Sequence, residues 1–310
     1  MEQTLEAEHP QLNSKYGYAF RHLLENVQSF SLFSFKIETK PTPTVSTRIY
    51  SPEEIVAQDE RPAVPDDNLR SKFAAVFGKT VELYDLQTGE SVKQTISVDF
   101  GKGGSYIELN RNTLLGVGAS LNFREVHSLD LPSLVFTPLP QLRYPRLGAG
   151  LAKVAHFVYA FGGSNDSGVL SSCEKFHIDN RQWLTVQNMH YPRSYFTPCL
   201  FRSAVYLASG TTSTMEVFRP ETEEFTDLVV TLPPQFEVDS YSMAFVASGE
   251  LCLLTTKQLV RWRVDSTSVR VCATNKKCWS TQPPLVIGSQ VLIAYWGSVH
   301  KFSLESYTYI

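Results

Sequence analysis

The sequence predicts an all-β fold, a six-bladed β-propeller with a short N-terminal helical segment. Three observations predict it. Strand-type runs rich in Val, Phe, Tyr and Thr dominate after residue 30. A two-strand unit recurs six times at a spacing of 40 to 47 residues. Helical spacing of apolar residues is confined to the first 30 positions.

The helical segment is 1–30. Tyr16, Phe20, Leu23 and Val27 fall at helical intervals behind Asn13 and Ser14 as N-cap, and Pro10 blocks extension upstream. The stripe is too short for a sustained coiled coil, so it reads as a helix docked on the domain. Beyond it, Phe33, Phe35 and Ile37 alternate with polar residues, and Val45, Thr47 and Ile49 continue that pattern.

The repeats set the architecture over 31–310. Each unit has an apolar strand, a turn, and a second strand with a large apolar anchor. The anchors are Tyr84, Leu129, Phe176, Phe218, Trp262 and Phe302, spaced by 45, 47, 42, 44 and 40 residues. Seven residues after them stand Ser91, Phe136, Trp183, Phe225, Val269 and Tyr309. Units of this length with four strands each are propeller blades. One blade cannot bury both faces of its sheet, whereas a ring buries them against neighbours. The expected blades are about 45–100, 104–143, 147–190, 194–233, 240–273 and 283–310. Only eight residues follow Phe302, so a strand from 31–50 is expected to close blade 6.

Composition narrows the class. In 310 residues, 43% are hydrophobic and the net charge is −3, which excludes a disordered chain and gives no basic footprint for nucleic acid or an anionic membrane. No apolar run reaches the ~20 residues of a membrane helix. The acidic start has no signal-peptide pattern. The five cysteines, Cys173, Cys199, Cys252, Cys272 and Cys278, are odd in number and lack C-x-x-C, which reads as reduced thiols in a cytoplasmic protein.

At the level of motifs the chain resembles the kelch repeat. The third unit reads Val158-Tyr159-Ala160-Phe161-Gly162-Gly163, then Cys173-Glu174-Lys175-Phe176, then Trp183, and closes with Met189-His190-Tyr191-Pro192-Arg193. The fourth keeps Val205–Gly210 and Met215–Pro220 with Phe225 in place of the tryptophan. The second keeps Gly116-Val117-Gly118 and Tyr144-Pro145-Arg146. The resemblance implies a protein-binding module, as in kelch-type ligase adaptors and cytoskeletal scaffolds. Two other readings are a structural or assembly module of a larger protein and a propeller hydrolase or oxidase.

Nothing in the residues points to catalysis. There is no G-x-S-x-G and no H-E-x-x-H. Gly101-Lys102-Gly103-Gly104 lacks phosphate-loop spacing and reads as a turn between blades. His127, His177 and His300 lie beside their anchors on outer strands, so no metal or cofactor is expected.

Binding residues are expected in the loops, because the strands form the scaffold. One loop set supplies Asn122, Phe123, Arg124, Asn165 and Asp166. The blade junctions supply Tyr144, Arg146, Tyr191 and Arg193, where Tyr and Arg combine apolar area with directional hydrogen bonding. Arg146 and Arg193 lie one repeat apart, so symmetry puts them at equivalent points. They are expected to clamp an extended acidic peptide, or else to order the turn. Residues 51–67 carry a net charge of −5 and three prolines and read as a solvated loop.

Overall fold

The structure, a computed structural model, describes residues 72–96, 103–118, 123–208, 214–228, 242–255, 257–263, 269–274 and 280–309. All the described residues fall within one compact unit, Thr47–Ile310. The expected helix in 1–30, the closing strand from 31–50, the acidic loop 51–67 and Asn122 lie outside the described residues. Among those described there is no helix, and none long and apolar enough to cross a membrane.

Six sheets follow one another along the chain. Blade 1 holds β1 (Lys72–Phe77), β2 (Thr80–Asp85) and β3 (Ser91–Thr95). Blade 2 holds β4 (Ser105–Asn110), β5 (Thr113–Val117), β6 (Val126–Asp130) and β7 (Val135–Leu139). Blade 3 holds β8 (Gly150–Val154) and β9 (Phe157–Phe161). A small ribbon follows, β10 (Ser164–Asn165) with β11 (Gly168–Val169), and the blade ends with β12 (Cys173–His177) and β13 (Gln182–Val186). The chain then adds β14 (Phe196–Thr197), which pairs in parallel not with blade 4 but with the first strand of blade 5. Blade 4 itself is β15 (Cys199–Phe201), β16 (Ala204–Ala208), β17 (Met215–Arg219) and β18 (Glu224–Leu228). Blade 5 is β19 (Ser242–Ala247), β20 (Glu250–Leu254), β21 (Gln258–Trp262) and β22 (Val269–Ala273). Blade 6 is β23 (Leu285–Ile287), β24 (Gln290–Tyr295) and β25 (Ser298–Ser303).

The repeat register read from the sequence is the register of the sheets. The anchors pair with the strand before them as Phe73–Tyr84, Leu114–Leu129, Val158–Phe176, Val205–Phe218, Leu251–Trp262 and Val291–Phe302. The residue seven positions on is the cross-strand neighbour on the other side. Tyr84 faces Ser91, Leu129 Phe136, Phe176 Trp183, Phe218 Phe225 and Trp262 Val269. In blade 6 an isolated bridge joins Phe302 to Tyr309.

Burial explains the strand sequences. The strand paired before each anchor is mostly apolar because neighbouring blades cover both faces: β16 (AVYLA) and β20 (ELCLL) are buried throughout. The outermost strands are polar and short, and β3 (SVKQT) is exposed at every position, which discourages edge-to-edge pairing. A hydrophobic cluster fills each interface between consecutive blades. Leu114 and Leu129 meet Val81 and Leu83 between blades 1 and 2, and Phe218 meets Phe161 between blades 3 and 4. The last interface, Phe73, Ala75 and Tyr84 against Leu292 and Ala294, closes the ring between blades 1 and 6. Phe176, Phe218 and Phe302 are fully buried, each contributing about 1.5–3 kcal/mol of apolar burial.

The segment before β23 ties three blades together. Ser280 O accepts the Thr197 hydroxyl at 2.8 Å, Thr281 donates to Gly104 O at 3.0 Å, and the Gln282 amide donates to Ala74 O at 2.6 Å on β1. Cys173, Cys199 and Cys252 are buried, and desolvation pushes each thiol up to about 12, so they stay protonated.

Candidate functional site

The Tyr-Pro-Arg junctions do not present their arginines to solvent. Arg146 and Arg193 are completely buried. Each pairs with a glutamate two residues before the anchor of the blade it enters. Arg146 Nε donates to Glu174 Oε1 at 3.0 Å, and Arg193 Nε donates to Glu216 Oε2 at 3.0 Å. Arg146 Nη1 also donates to Gly162 O at 2.7 Å and Ser172 O at 2.6 Å. Arg193 Nη2 donates to the Thr214 hydroxyl at 3.0 Å. The glutamates also accept main-chain N–H groups, Arg143 and Tyr144 on Glu174 and His190 on Glu216. Burial lowers the Arg193 guanidinium and Glu216 opposes that shift. These are closed ionic staples that fix each junction to its blade. The expected peptide clamp on Arg146 and Arg193 is therefore corrected: neither guanidinium reaches the surface.

Glycine makes the approach possible. Gly162 has φ +58°, and a Cβ there would lie 2.2 Å from Arg193 O. Gly163 N donates to that same carbonyl at 2.8 Å. The double glycine thus serves the close contact between a blade and the following junction.

The other expected residues scatter. Asn165 and Asp166 form the tip of the ribbon β10–β11, where Asn165 Oδ1 accepts Ser167 N at 2.9 Å. Phe123 sits at φ +51°, and its carbonyl accepts Arg146 N at 2.8 Å. Tyr191 is partly covered, and its hydroxyl donates to Asp227 Oδ2 at 3.4 Å. Tyr144 is 47% exposed beside Arg143.

Arg124 does meet a concave surface. A cleft of about 550 Å³ opens at the outer edges of blades 2 and 3, lined by Arg124, Arg143, Arg181, Gln141, Gln182 and Trp183 among others. The chain builds it locally. Arg124 precedes β6 and its Nε donates to Leu142 O at 3.0 Å. Gln141 and Arg143 belong to the junction after β7, which Glu174 holds through the Arg143 N–H at 2.8 Å. Arg181, at φ +52°, ends the β12–β13 turn, and Gln182 begins β13. Trp183 is half-buried and packs on the core between blades 2 and 3, tilted against Phe176 with ring centroids 5.1 Å apart, and its indole N–H donates to Pro140 O at 2.8 Å. It both covers the blade 2–3 core and forms the cleft wall.

The cleft concentrates positive charge on a chain that is acidic overall. Among the described residues no ion pair holds the Arg143 or Arg181 side chain, and Asp179 is taken by His156 at 2.9 Å. Three guanidiniums, two primary amides and an indole face suit a carboxylate-bearing chain with some apolar area. Arg143, Arg181, Gln141 and Gln182 were not singled out from sequence. Their signal was present, since Arg181 and Gln182 directly precede the repeat tryptophan and Arg143 precedes the junction tyrosine.

Six successive sheets, each packed on its neighbours, define a six-bladed β-propeller. The Kelch motif matches residues 145–190, which are the junction and the whole of blade 3. The chain is thus a six-bladed propeller carrying a kelch repeat, an architecture commonly used for protein interaction. No curated protein matches the chain.

Proposed function

We propose that this propeller is a protein-interaction module whose recognition surface is the cleft between blades 2 and 3, and that its partner presents an acidic extended segment. The supporting observation is the convergence of Arg124, Arg143 and Arg181 on one cleft walled by Trp183. Paired guanidiniums take carboxylates in two-point hydrogen bonds, and Trp and Arg are the residue types that dominate interface energetics.

The test is affinity capture from cell extract with the intact chain and with an Arg143→Glu, Arg181→Glu double variant. Both substitutions sit on exposed side chains, so the melting temperature stays near that of the parent. The expected result is loss of partners that contain acidic segments. A folded double variant that retains every partner sets the cleft aside.

A further inference from the structure

At the blade 3–4 junction the positions equivalent to the basic cleft residues change from basic or neutral to acidic or imidazole, with Glu223 paired to Lys175. Arg143 of the blade 2–3 junction corresponds to His190, one repeat of 47 residues later. Counting from the anchors Phe176 and Phe218, Arg181 corresponds to Glu223 and Gln182 to Glu224. The residue opposite the buried glutamate changes as well: Glu174 faces Thr185, whereas Glu216 faces Asp227. Blade 3 shows what the scaffold needs, namely the buried arginine–glutamate pair with an arginine and a threonine beside it. Blade 4 keeps the pair and adds a histidine and an aspartate that the scaffold does not require.

These additions converge. One donor atom from each of His190, Glu216 and Asp227 lies within 4.8 Å of the others. His190 Nδ1 is 2.7 Å from Asp227 Oδ1 and 3.9 Å from Glu216 Oε1. From these contacts we propose that His190, Glu216 and Asp227 form a binding site for a divalent transition-metal ion of the zinc type, with one imidazole nitrogen and two carboxylate oxygens as ligands.

Geometry and charge favour it. Zinc binds such donors at about 2.0–2.2 Å, which sets tetrahedral donors about 3.3 Å apart. The separations of 2.7 and 3.9 Å bracket that value. His190 and Asp227 are about 30% and 28% exposed, so both can adjust by half an ångström. Glu216 is fully buried and already oriented. Arg193 holds its Oε2, and the His190 main-chain N–H holds Oε1 at 2.7 Å, leaving the other lone pair of Oε1 for the ion. The Tyr191 hydroxyl holds the second Asp227 oxygen at 3.4 Å. Outer-shell contacts of this kind are what orient ligating carboxylates. Leaving the imidazole aside, the group Arg193, Glu216 and Asp227 carries one negative charge in excess. The equivalent blade 3 group, Arg143, Arg146 and Glu174, leaves one positive charge. The imidazole binds through Nδ1 with its proton on Nε2, and the fourth position of the ion stays open to solvent or to a carboxylate from outside.

The test is calorimetric titration of the chelator-stripped whole chain with zinc chloride. Three comparisons accompany it: H190Q, D227N, and the pair H190R with D227T, which writes the blade 3 residues into blade 4. We expect one zinc per chain, weakened at least about tenfold in each single variant, because even outer-shell partners are worth about 10–100-fold. The H190R/D227T protein folds as blade 3 does and loses the site. X-ray absorption at the zinc edge shows nitrogen and oxygen neighbours only. Absence of zinc binding, unchanged affinity in folded H190Q and D227N, or a sulfur shell from the cysteines each overturns the assignment.

Discussion

Arg146→Ala removes one half of a staple that no solvent can replace. Arg146 is wholly buried, and its guanidinium supplies three hydrogen bonds, to Glu174 Oε1, Gly162 O and Ser172 O. Truncation leaves the Glu174 carboxylate inside the protein with only the Arg143 and Tyr144 N–H groups as donors, and it strips two main-chain carbonyls of a partner. Breaking a buried ion pair from one side costs about 3–5 kcal/mol, mostly through the stranded charge. At about 2–4 °C per kcal/mol for a domain of this size, the melting temperature falls by about 6–20 °C. The charge argument makes a second demand. Adding Glu174→Gln to Arg146→Ala recovers at least about 1 kcal/mol, a coupling within the usual range for residues in contact. Urea melts of the parent, both single variants and the double variant measure all four corners. An Arg146→Ala protein within about 1 kcal/mol of the parent, or a cycle with no coupling, refutes the reasoning.

Three further outcomes follow from named contacts. Gly162→Ala forces a side chain at φ +58° to within 2.2 Å of Arg193 O, and it destabilises by about 2–5 kcal/mol in thermal melts. Trp183→Ala loses the Pro140 hydrogen bond and half of its packing on Phe176. Its urea-melt cost is about 2–3 kcal/mol, below that of a fully buried tryptophan, and Trp183→Phe recovers most of it. At Glu250, burial works to raise the carboxyl, but Arg270 and Arg261, each 2.7 Å away, outweigh it and hold the group below 4.5. A depressed folded value means stabilisation that is present above the unfolded value and lost as pH falls through the folded one. Melting temperatures between pH 7 and 3 therefore drop more steeply in the parent than in Glu250→Gln, with the difference confined below about pH 4.5.

The sheet register was legible because a propeller repeats one physical problem. Each blade needs a mostly apolar strand covered on both faces, and a large anchor opposite its first buried residue. Phe176 faces both Val158 and Trp183 because short turns of nearly constant length join the strands, so a count of seven in the chain becomes a neighbour across it. The site was less legible. Arg146 and Arg193 were placed correctly at equivalent points by symmetry, but symmetry says nothing about depth. Their burial was written elsewhere, in Glu174 and Glu216, each two residues before its anchor. Only a buried counter-charge makes a buried arginine tolerable. The cleft escaped because Arg124, Arg143 and Arg181 come from three separate turns that sequence spacing does not join. The altered charge at the blade 3–4 junction needed the cross-strand partners Thr185 and Asp227, which only the sheet register identifies.

The central claim is that recognition runs through the exposed cleft and not through the buried junction arginines. Anisotropy titration of a fluorescein-labelled oligoglutamate peptide tests it directly, with the parent and the Arg143→Glu, Arg181→Glu variant at low and at physiological salt. The account predicts saturable binding by the parent that weakens with salt, and a loss of at least about 2 kcal/mol, close to thirtyfold, in the folded double variant. Equal binding by the folded double variant contradicts it.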